Sequence, residues 1–372
     1  MKRIVHIVGS MNRAGAETMI MNLYRNIDSS KYQFDFVCFT SNICDFDEEI
    51  LERGGTIYRV TSSKNSSFKT LSRYYKYFLL LRSLKCDHGV HSHMNINNSV
   101  YLFIAYLAGV KSRISHSHGS EGKYHQGFIR KLYKSISFIF IKTFATNYIA
   151  CGELAGNYLY PKVDKSKVVL LPNAIDIEGF AKHRLLNRDY IRRFIDIDEN
   201  AIIITQIGRL STVKNHIYSL DILKSLKKNG IKFHFVIIGG GELKAALEKQ
   251  TQEEGLESEI TFLGVRSDVP ELLSGSDCLL MPSLHEGFPV VLVESQAIGL
   301  PSLISNSISS EVDLELGLVE FASLKDALSI WEEKLIALVN REEVDENLRL
   351  KILTEKGFNI LESVKKLEHI YG

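Results

Sequence analysis

The sequence predicts two α/β domains, each built on a doubly wound parallel sheet. Short apolar runs suited to strands alternate with helix-like runs almost from end to end, the pattern of strands buried on both faces by crossover helices. These runs fall into two sets, one before and one after a polar, charged stretch at residues 173–200. A chain of 372 residues also exceeds what a single core usually accommodates.

In order, the first set of strands is expected at 3–9, 34–40, 56–60, 88–93, 113–118, 148–152 and 168–172. The second set is expected at 202–208, 233–239, 260–264, 278–282, 302–305 and 318–321. The domains then run 1–172 and 173–355, with a hinge over 173–200 that carries a short helix at 188–195 and a last helix over 356–372. Apolar content of 45% and charged content of 24% are those of an ordinary globular protein, and a net charge of +1 argues against a nucleic-acid partner. Cys38, Cys44, Cys86, Cys151 and Cys278 form no CxxC pair and read as reduced core residues of a cytoplasmic protein. The opening MKRIVHIVGS reads as a strand rather than a signal peptide, and no run approaches the eighteen or so apolar residues of a membrane span.

The stretch with most chemical content is LHEGFPVVLVESQAIGLP, residues 284–301. It reads as loop then helix, with Pro289 at the first helical position and the amides near Gly287 and Phe288 free to meet an anion. Glu294 interrupts an otherwise apolar helix, and a buried carboxylate calls for a partner; a solvated glutamate or internal salt bridge is the plainer reading. Glu286 and Glu294 do not suit a glycoside-hydrolase pair. Eight helical steps separate them by about 12 Å, beyond the roughly 5 to 9.5 Å such pairs use.

Other segments add to this. Gly15 sits where the first strand gives way to a helix, which lets backbone amides approach a phosphate. Arg209 and Lys214 follow a strand ending at Gly208, and two cations there can neutralise a diphosphate leaving group, although each alone is more often a surface cation. Gly239-Gly240-Gly241 lacks the spacing of a dinucleotide fingerprint, so NAD is rejected. Histidines cluster at His88, His91, His93, His116 and His118; His91 shares a strand face with His93 and His116 with His118, so these four can converge at one strand-end cleft, which raises the rival reading of a metal-dependent hydrolase, and no carboxylates are arranged to complete such a site. Asp45-Phe46-Asp47 and Asp196-Ile197-Asp198 have metal-holding spacing but read as loop or helix-start acids.

His285-Glu286-Gly287-Phe288-Pro289 followed by Glu294 resembles the Glu, seven residues, Glu signature of family 4 glycosyltransferases. The resemblance covers most of the chain and implies the GT-B fold, with two Rossmann-like domains facing across a cleft and the last helix crossing back to the first. It implies that Glu286 contacts the donor sugar, Glu294 the ribose, and the 287–289 backbone the diphosphate. Gly208, Arg209 and Lys214 then serve the donor phosphates, and the loop at Val265 the nucleobase. Ser10–Thr18 resembles the family's Gly-Gly-Ala-Glu loop with Ala14 replacing its first glycine, which leaves Gly15. His118 is the match for the sugar-facing histidine, with His116 as the fallback. The implied activity is retaining and metal-independent transfer from a nucleotide diphosphate sugar, UDP-linked by analogy with exopolysaccharide and capsule enzymes. The implied acceptor is a lipid-linked saccharide at the inner face of the cell membrane. A non-catalytic nucleotide-sugar-binding subunit remains the other alternative.

A segment at 127–145 bears on location. On a helical projection Arg130, Lys131, Lys134 and Lys142 share one side together with Phe138 and Ile141, which suits a helix lying on anionic headgroups. Leu132, Ile136 and Phe140 on the opposite side are then expected to pack on the domain. An ordinary amphipathic surface helix is the alternative.

Overall fold

A computed structural model describes residues 1–61, 69–84, 89–119 and 127–372; Cys86 and His88 lie outside the described residues. The chain divides into two compact units, one of residues 1–174 and 360–372, the other of residues 175–359. Each is a parallel sheet with helices on both faces.

In the first unit the strands are β1 (Lys2–Val8), β2 (Tyr32–Cys38), β3 (Ile57–Arg59), β4 (Gly89–Ser92), β5 (Arg113–Ser117), β6 (Asn147–Ala150) and β7 (Val168–Leu170). They lie in the order β3-β2-β1-β4-β5-β6-β7, all parallel. In the second unit they are β8 (Ile202–Ile207), β9 (Phe233–Ile238), β10 (Ile260–Gly264), β11 (Cys278–Met281), β12 (Ser302–Ser305) and β13 (Val319–Ala322), in the order β10-β9-β8-β11-β12-β13. All thirteen expected strands form, most of them a residue or two shorter than their apolar runs. Strand order reverses between β1 and β4 and between β8 and β11, and such switch points are where open α/β sheets place ligands, beyond the carboxyl ends of the strands.

Side-chain alternation sends each strand's residues into two cores. Cys278 and Leu280 of β11 join the cluster around Leu220, Leu223 and Trp331, whereas Leu279 and Met281 join Leu292, Ile298 and Ile304. In the first unit one face is covered by helices Gly15–Asn26 and Ile360–Tyr371 through Met19, Leu23, Val364, Leu367 and Tyr371. The other carries Tyr77, Leu81, Tyr101, Leu102 and Ile141 from the helices Lys69–Ser83, Asn98–Leu107 and Phe128–Phe144.

Two expectations need correcting. Within residues 173–200 the main helix is Ile177–Leu186, whose Ile177 and Ala181 are buried, and the short helix expected at 188–195 shrinks to one turn of 3-10 helix at Ile191–Arg193. Asp176 supplies a start signal for the first of these, accepting from the Gly179 amide at 3.0 Å.

Phe128–Phe144 is also turned over. Ser137 and Ile141 are buried and Phe138 is packed in the core, whereas Leu132 is 51% and Ile136 46% exposed. The buried stripe is Lys134, Ser137, Phe138 and Ile141, at the i, i+3, i+4, i+7 spacing of a packed face. Aromatic contacts hold it there: Phe138 meets Tyr158 edge-on at 6.3 Å, Phe144 meets Phe103 at 4.9 Å, and the Lys134 ammonium lies 5.1 Å from the Tyr158 ring. Ile141→Ala should therefore lower unfolding free energy by about 2–5 kcal/mol in urea titrations, while Leu132→Ala stays within about 0.5 kcal/mol; the opposite ranking would restore the sequence-based orientation.

Candidate functional site

β8 and β11 are hydrogen-bonded neighbours, so the loops that leave their carboxyl ends meet. Glycine makes the first loop's path possible. Gly208 has φ +151°, and a Cβ there would sit 2.7 Å from Lys214 Cε. A Cβ on Gly239, at φ +140°, would lie 2.0 Å from the Gly208 carbonyl oxygen, and one on Gly241 2.3 Å from that of Leu210. The glycines after β9 thus form a bed for the 208–210 backbone, tied by Leu210 N to Gly240 O at 2.9 Å and Leu243 N to Leu210 O at 3.1 Å.

From there the chain is strapped to the loop after β11. The Leu284 amide donates to Val213 O at 2.8 Å, Asn215 Nδ2 to Pro282 O at 3.0 Å, and Gln206 Nε2 to Lys214 O at 2.8 Å. Ser219 Oγ in turn donates to Gln206 Oε1 at 2.6 Å. Asn215 holds a left-handed φ of +55°, tolerable for asparagine. These contacts deliver Lys214 Nζ to 2.6 Å from Glu286 Oε1, with the two side chains only 19% and 13% exposed. Gln206 and Asn215 escaped the sequence reading because their role is backbone bracing, which no motif announces.

The remaining predicted residues are less uniform. Arg209 is 76% exposed and turns to Glu242 at 3.3 Å, so of the two predicted cations only Lys214 is paired with Glu286. Pro289 stands one position earlier than expected, as the cap of Val290–Ile298 with ψ 114°, and no side chain caps that helix. Phe288 stacks on Phe358 at 5.6 Å, which fixes the loop from below, while Gly287 is exposed with open space where a side chain would be. Glu294 is only partly covered at its surface, yet apolar surroundings push its carboxyl up to about 7 by desolvation. Val265 is exposed just beyond β10 and beside Gly240. The two Asp-x-Asp runs are spent structurally: Asp47 pairs with Arg59, Asp45 accepts from the Arg13 amide at 2.9 Å, and Asp198 pairs with Lys232 at 2.7 Å.

In the first unit Gly15 begins its helix exposed, behind an uncapped Ala14. His118 lies just after β5, in a group of five imidazoles. The fifth is His6, which sequence reading missed although it faces His91 across the β1–β4 register. His93 Nδ1 is 2.7 Å from His118 Nε2, His6 Nδ1 is 3.0 Å from His93 Nε2, and His91 Nε2 is 3.2 Å from His116 Nδ1. Tyr371, from the last helix, reaches His91 Nδ1 at 2.9 Å and His6 Nε2 at 3.5 Å. Ligand atoms of His6, His91 and His93, and of His93, His116 and His118, lie within 4.8 Å of one another. Their nitrogens are largely engaged with each other, and among the described residues no carboxylate joins the two groups, so the His-plus-carboxylate centre considered above is not formed.

Burial holds these rings neutral. His6 is pushed down to about 3 and His118 to about 4, and His91, His93 and His116 fall well below the ordinary value. Folded values below the unfolded 6.5 mean that the unfolded chain binds protons first as pH drops. Stability is then complete above about pH 6.5 and is lost toward the folded values, at up to about 1.4 kcal/mol per pH unit for each ring. Thermal unfolding of the first unit should therefore drop steeply between pH 7 and 5, and His6→Phe should flatten the slope; an unfolding temperature that stays level over that range would contradict the burial.

Comparison with known proteins places these features. Residues 13–178 match the model described as Glycosyltransferase Family 4, and residues 187–314 the model described as Glycosyl transferases group 1. The putative glycosyltransferase EpsF of Bacillus subtilis is 37% identical over 378 residues, spanning 100% of this chain and 96% of its own. The UDP-Gal:alpha-D-GlcNAc-diphosphoundecaprenol alpha-1,3-galactosyltransferase of Escherichia coli is 26% identical over 99% of this chain and 96% of its own. Among solved structures, Anabaena Alr3699/HepE in complex with UDP-glucose superposes with a TM-score of 0.73 at 15% identity, covering 99% of both chains. WaaG, a glycosyltransferase involved in lipopolysaccharide biosynthesis, gives 0.64 over 98% of this chain and 94% of its own at 14% identity. The fold is GT-B.

Proposed function

This chain belongs to the family 4 glycosyltransferases and to their polysaccharide-building branch, and from that premise we propose that it transfers a sugar, with retention, from a UDP-sugar to a lipid-linked saccharide. The observation that carries this reading is the enclosed Lys214–Glu286 pair beside the uncapped start of Val290–Ile298. Lys214 and the helix-start amides meet the diphosphate, whose charge grows as the glycosidic bond breaks. Glu286 orients Lys214 and takes a sugar hydroxyl. Glu294, with its raised carboxyl, suits ribose hydroxyls, since it can accept from one and, when protonated, donate to another. Arg209 reaches a phosphate only by leaving Glu242. Gly208 and the 287–289 backbone allow close approach, Val265 lies at the base, Gly15 offers amides to phosphate, and His118 faces the sugar. The acceptor hydroxyl attacks from the face that the leaving group vacates, and the departing phosphate oxygen takes its proton. Lys214 and the amides supply the positive charge, so no divalent metal is required. The Escherichia coli and Campylobacter jejuni relatives, whose names carry diphosphoundecaprenol and PP-undecaprenol saccharides, support a lipid-linked acceptor.

A panel of UDP-sugars assayed for UDP release tests this. One or more should be turned over, in the presence of excess EDTA as in its absence. Glu286→Gln and Glu294→Gln should abolish most turnover without unfolding the chain. Lys214→Ala should weaken UDP by about 1.5–3 kcal/mol and Arg209→Ala by less. Full activity of Glu294→Gln, or loss with EDTA reversed by zinc or manganese, would overturn the corresponding assignment.

We further propose that the enzyme works on an anionic membrane surface, at the cytoplasmic side, through the corrected face of Phe128–Phe144. Leu132, Ile136 and Ile139 point outward there, Phe128 and Ile129 are more exposed still, and Arg130, Lys131 and Lys142 flank them. The helix Lys69–Ser83, which packs on the same core, exposes Leu71, Tyr75 and Leu79, and neither helix contains an aspartate or glutamate. Exposed apolar residues bordered by cations fit the boundary between headgroups and acyl chains. No helix among the described residues is long and apolar enough to cross a membrane. Co-sedimentation with vesicles containing anionic lipid should fall when Leu132, Ile136 and Ile139 become Ser, and fall with salt when the apolar residues are intact; equal sedimentation of wild type and triple variant would end the proposal.

A further inference from the structure

The histidine group of the first unit has an order that its crowding conceals. Followed atom by atom, it is a single unbranched chain: His116 Nδ1 to His91 Nε2, His91 Nδ1 to Tyr371 Oη, Tyr371 Oη to His6 Nε2, His6 Nδ1 to His93 Nε2, His93 Nδ1 to His118 Nε2. Every inner ring uses both nitrogens. The two atoms left over, His116 Nε2 and His118 Nδ1, are buried and without a hydrogen-bond partner among the described residues. The rings that carry them stack on each other at 4.1 Å between centroids, so the chain is a hairpin with both open ends on one side and Tyr371 at the bend.

Hydrogen counting constrains such a chain. Six neutral groups each hold one mobile hydrogen, and the five links between them use five. The sixth stands at one of the open ends, unless the Tyr371 oxygen accepts from both His91 and His6, which leaves its own hydrogen buried and unpaired. Two arrangements satisfy every link and pair the Tyr371 hydrogen as well: His118 Nδ1 bears the hydrogen and His116 Nε2 a lone pair, or the reverse, with all the intervening hydrogens switched together. No carboxylate or cation side chain is bonded to the ring nitrogens or the hydroxyl of any member among the described residues, the Lys2 ammonium meeting only the Tyr371 backbone carbonyl, and desolvation disfavours a charged ring, so no charged partner breaks the chain into independent parts.

We infer that the five histidines and Tyr371 act as one hydrogen-bonded relay that sets which nitrogen of His118 carries its hydrogen, so that Tyr371 is a positioning residue for His118. A sugar hydroxyl or ring oxygen meeting His118 Nδ1 needs a donor or an acceptor there, and the relay decides which it finds. Three-histidine metal binding is the competing use of the same rings. It needs three free lone pairs converging on one point, whereas the open atoms number two, and taking a third breaks a link.

The inference rests on His118 facing the sugar, and its test separates the two. In the full chain labelled with 15N-histidine, two-bond 15N–1H correlation reports the tautomer of His118, assigned by comparison with His118→Gln, and needs no substrate. Wild type should show one dominant tautomer. Tyr371→Phe keeps the ring against Phe34 but removes the bend of the relay; it should shift the His118 tautomer and lower kcat by roughly tenfold to a hundredfold, as loss of an orienting partner does elsewhere. Affinity for UDP, which carries no sugar, should hold steady, because Tyr371 touches none of the residues assigned to the diphosphate. If Tyr371→Phe does not fold, His6→Gln interrupts the relay one link nearer to His118 and is read in the same way. An unchanged His118 tautomer in the interrupted variant overturns the relay, even if His118→Gln is inactive. Full activity of His118→Gln overturns the sugar-facing role while leaving the tautomer measurement to judge the relay. A stoichiometric transition metal in the purified wild type, lost in His93→Gln, replaces the relay with a metal centre and overturns it.

Discussion

The close approach of two backbones, Gly208–Leu210 against Gly239–Gly241, is the constraint on which the second unit's site depends. A side chain at Gly239 would overlap the Gly208 carbonyl oxygen at 2.0 Å and one at Gly241 the Leu210 carbonyl oxygen at 2.3 Å, main-chain clashes that no rotamer relieves. With the backbones in contact, the loop after β8 has no freedom to rise, and it runs instead along the loop after β11. Lys214 then meets Glu286 as a consequence of path rather than of attraction. An ion pair this enclosed gains little net energy for the fold, because desolvation offsets most of the attraction. The diphosphate role proposed for Lys214 accounts for such a pair where stability does not, since an enclosed cation responds strongly to an anion.

Much of this was legible in sequence, and the parts that were not share a cause. Strands buried on both faces leave continuous apolar runs, so β1 to β13 could be read directly, even the three-residue β3 and β7. Glu294 stands out in sequence because a carboxylate in an apolar helix is conspicuous, whereas Glu286 draws notice only through its spacing from Glu294. Phe128–Phe144 misled because it is apolar on more than one side, and periodicity alone cannot say which side meets the domain. That choice was made by partners distant in sequence, Phe103 and Tyr158. Residues 173–200 misled for the converse reason: their polar composition conceals the few positions, Ile177, Ala181 and Ile191, that anchor them. His6 was visible as a residue but not as a member of the cluster, since only the β1–β4 register sets it beside His91.

The two candidate regions solve opposite electrostatic problems. Around Lys214 and Glu286 formal charges are kept, shielded and paired. Around His118 charge is expelled by burial, and a run of neutral donors and acceptors takes its place. Each unit keeps its own solution within its own core, so a substitution that alters the charge of one leaves the other as it is.

The last helix has a consequence for how the protein is made. Ile360, Val364, Leu367 and Tyr371 complete a core begun by Ile4, Phe34 and Met19, so the first unit draws its final wall from the end of the chain. The second unit is inserted between these parts, and its two ends run together, Ile175 donating to the Phe358 carbonyl at 3.0 Å and bridging to Asn359. During synthesis the inserted unit can therefore finish folding while the first is still missing a helix. Its apolar sheet face must wait, open, for about 200 further residues to be translated, some tens of seconds at usual rates. The part of the protein that is made first is the last to close, and during that interval it presents an incompletely covered apolar sheet face to chaperones.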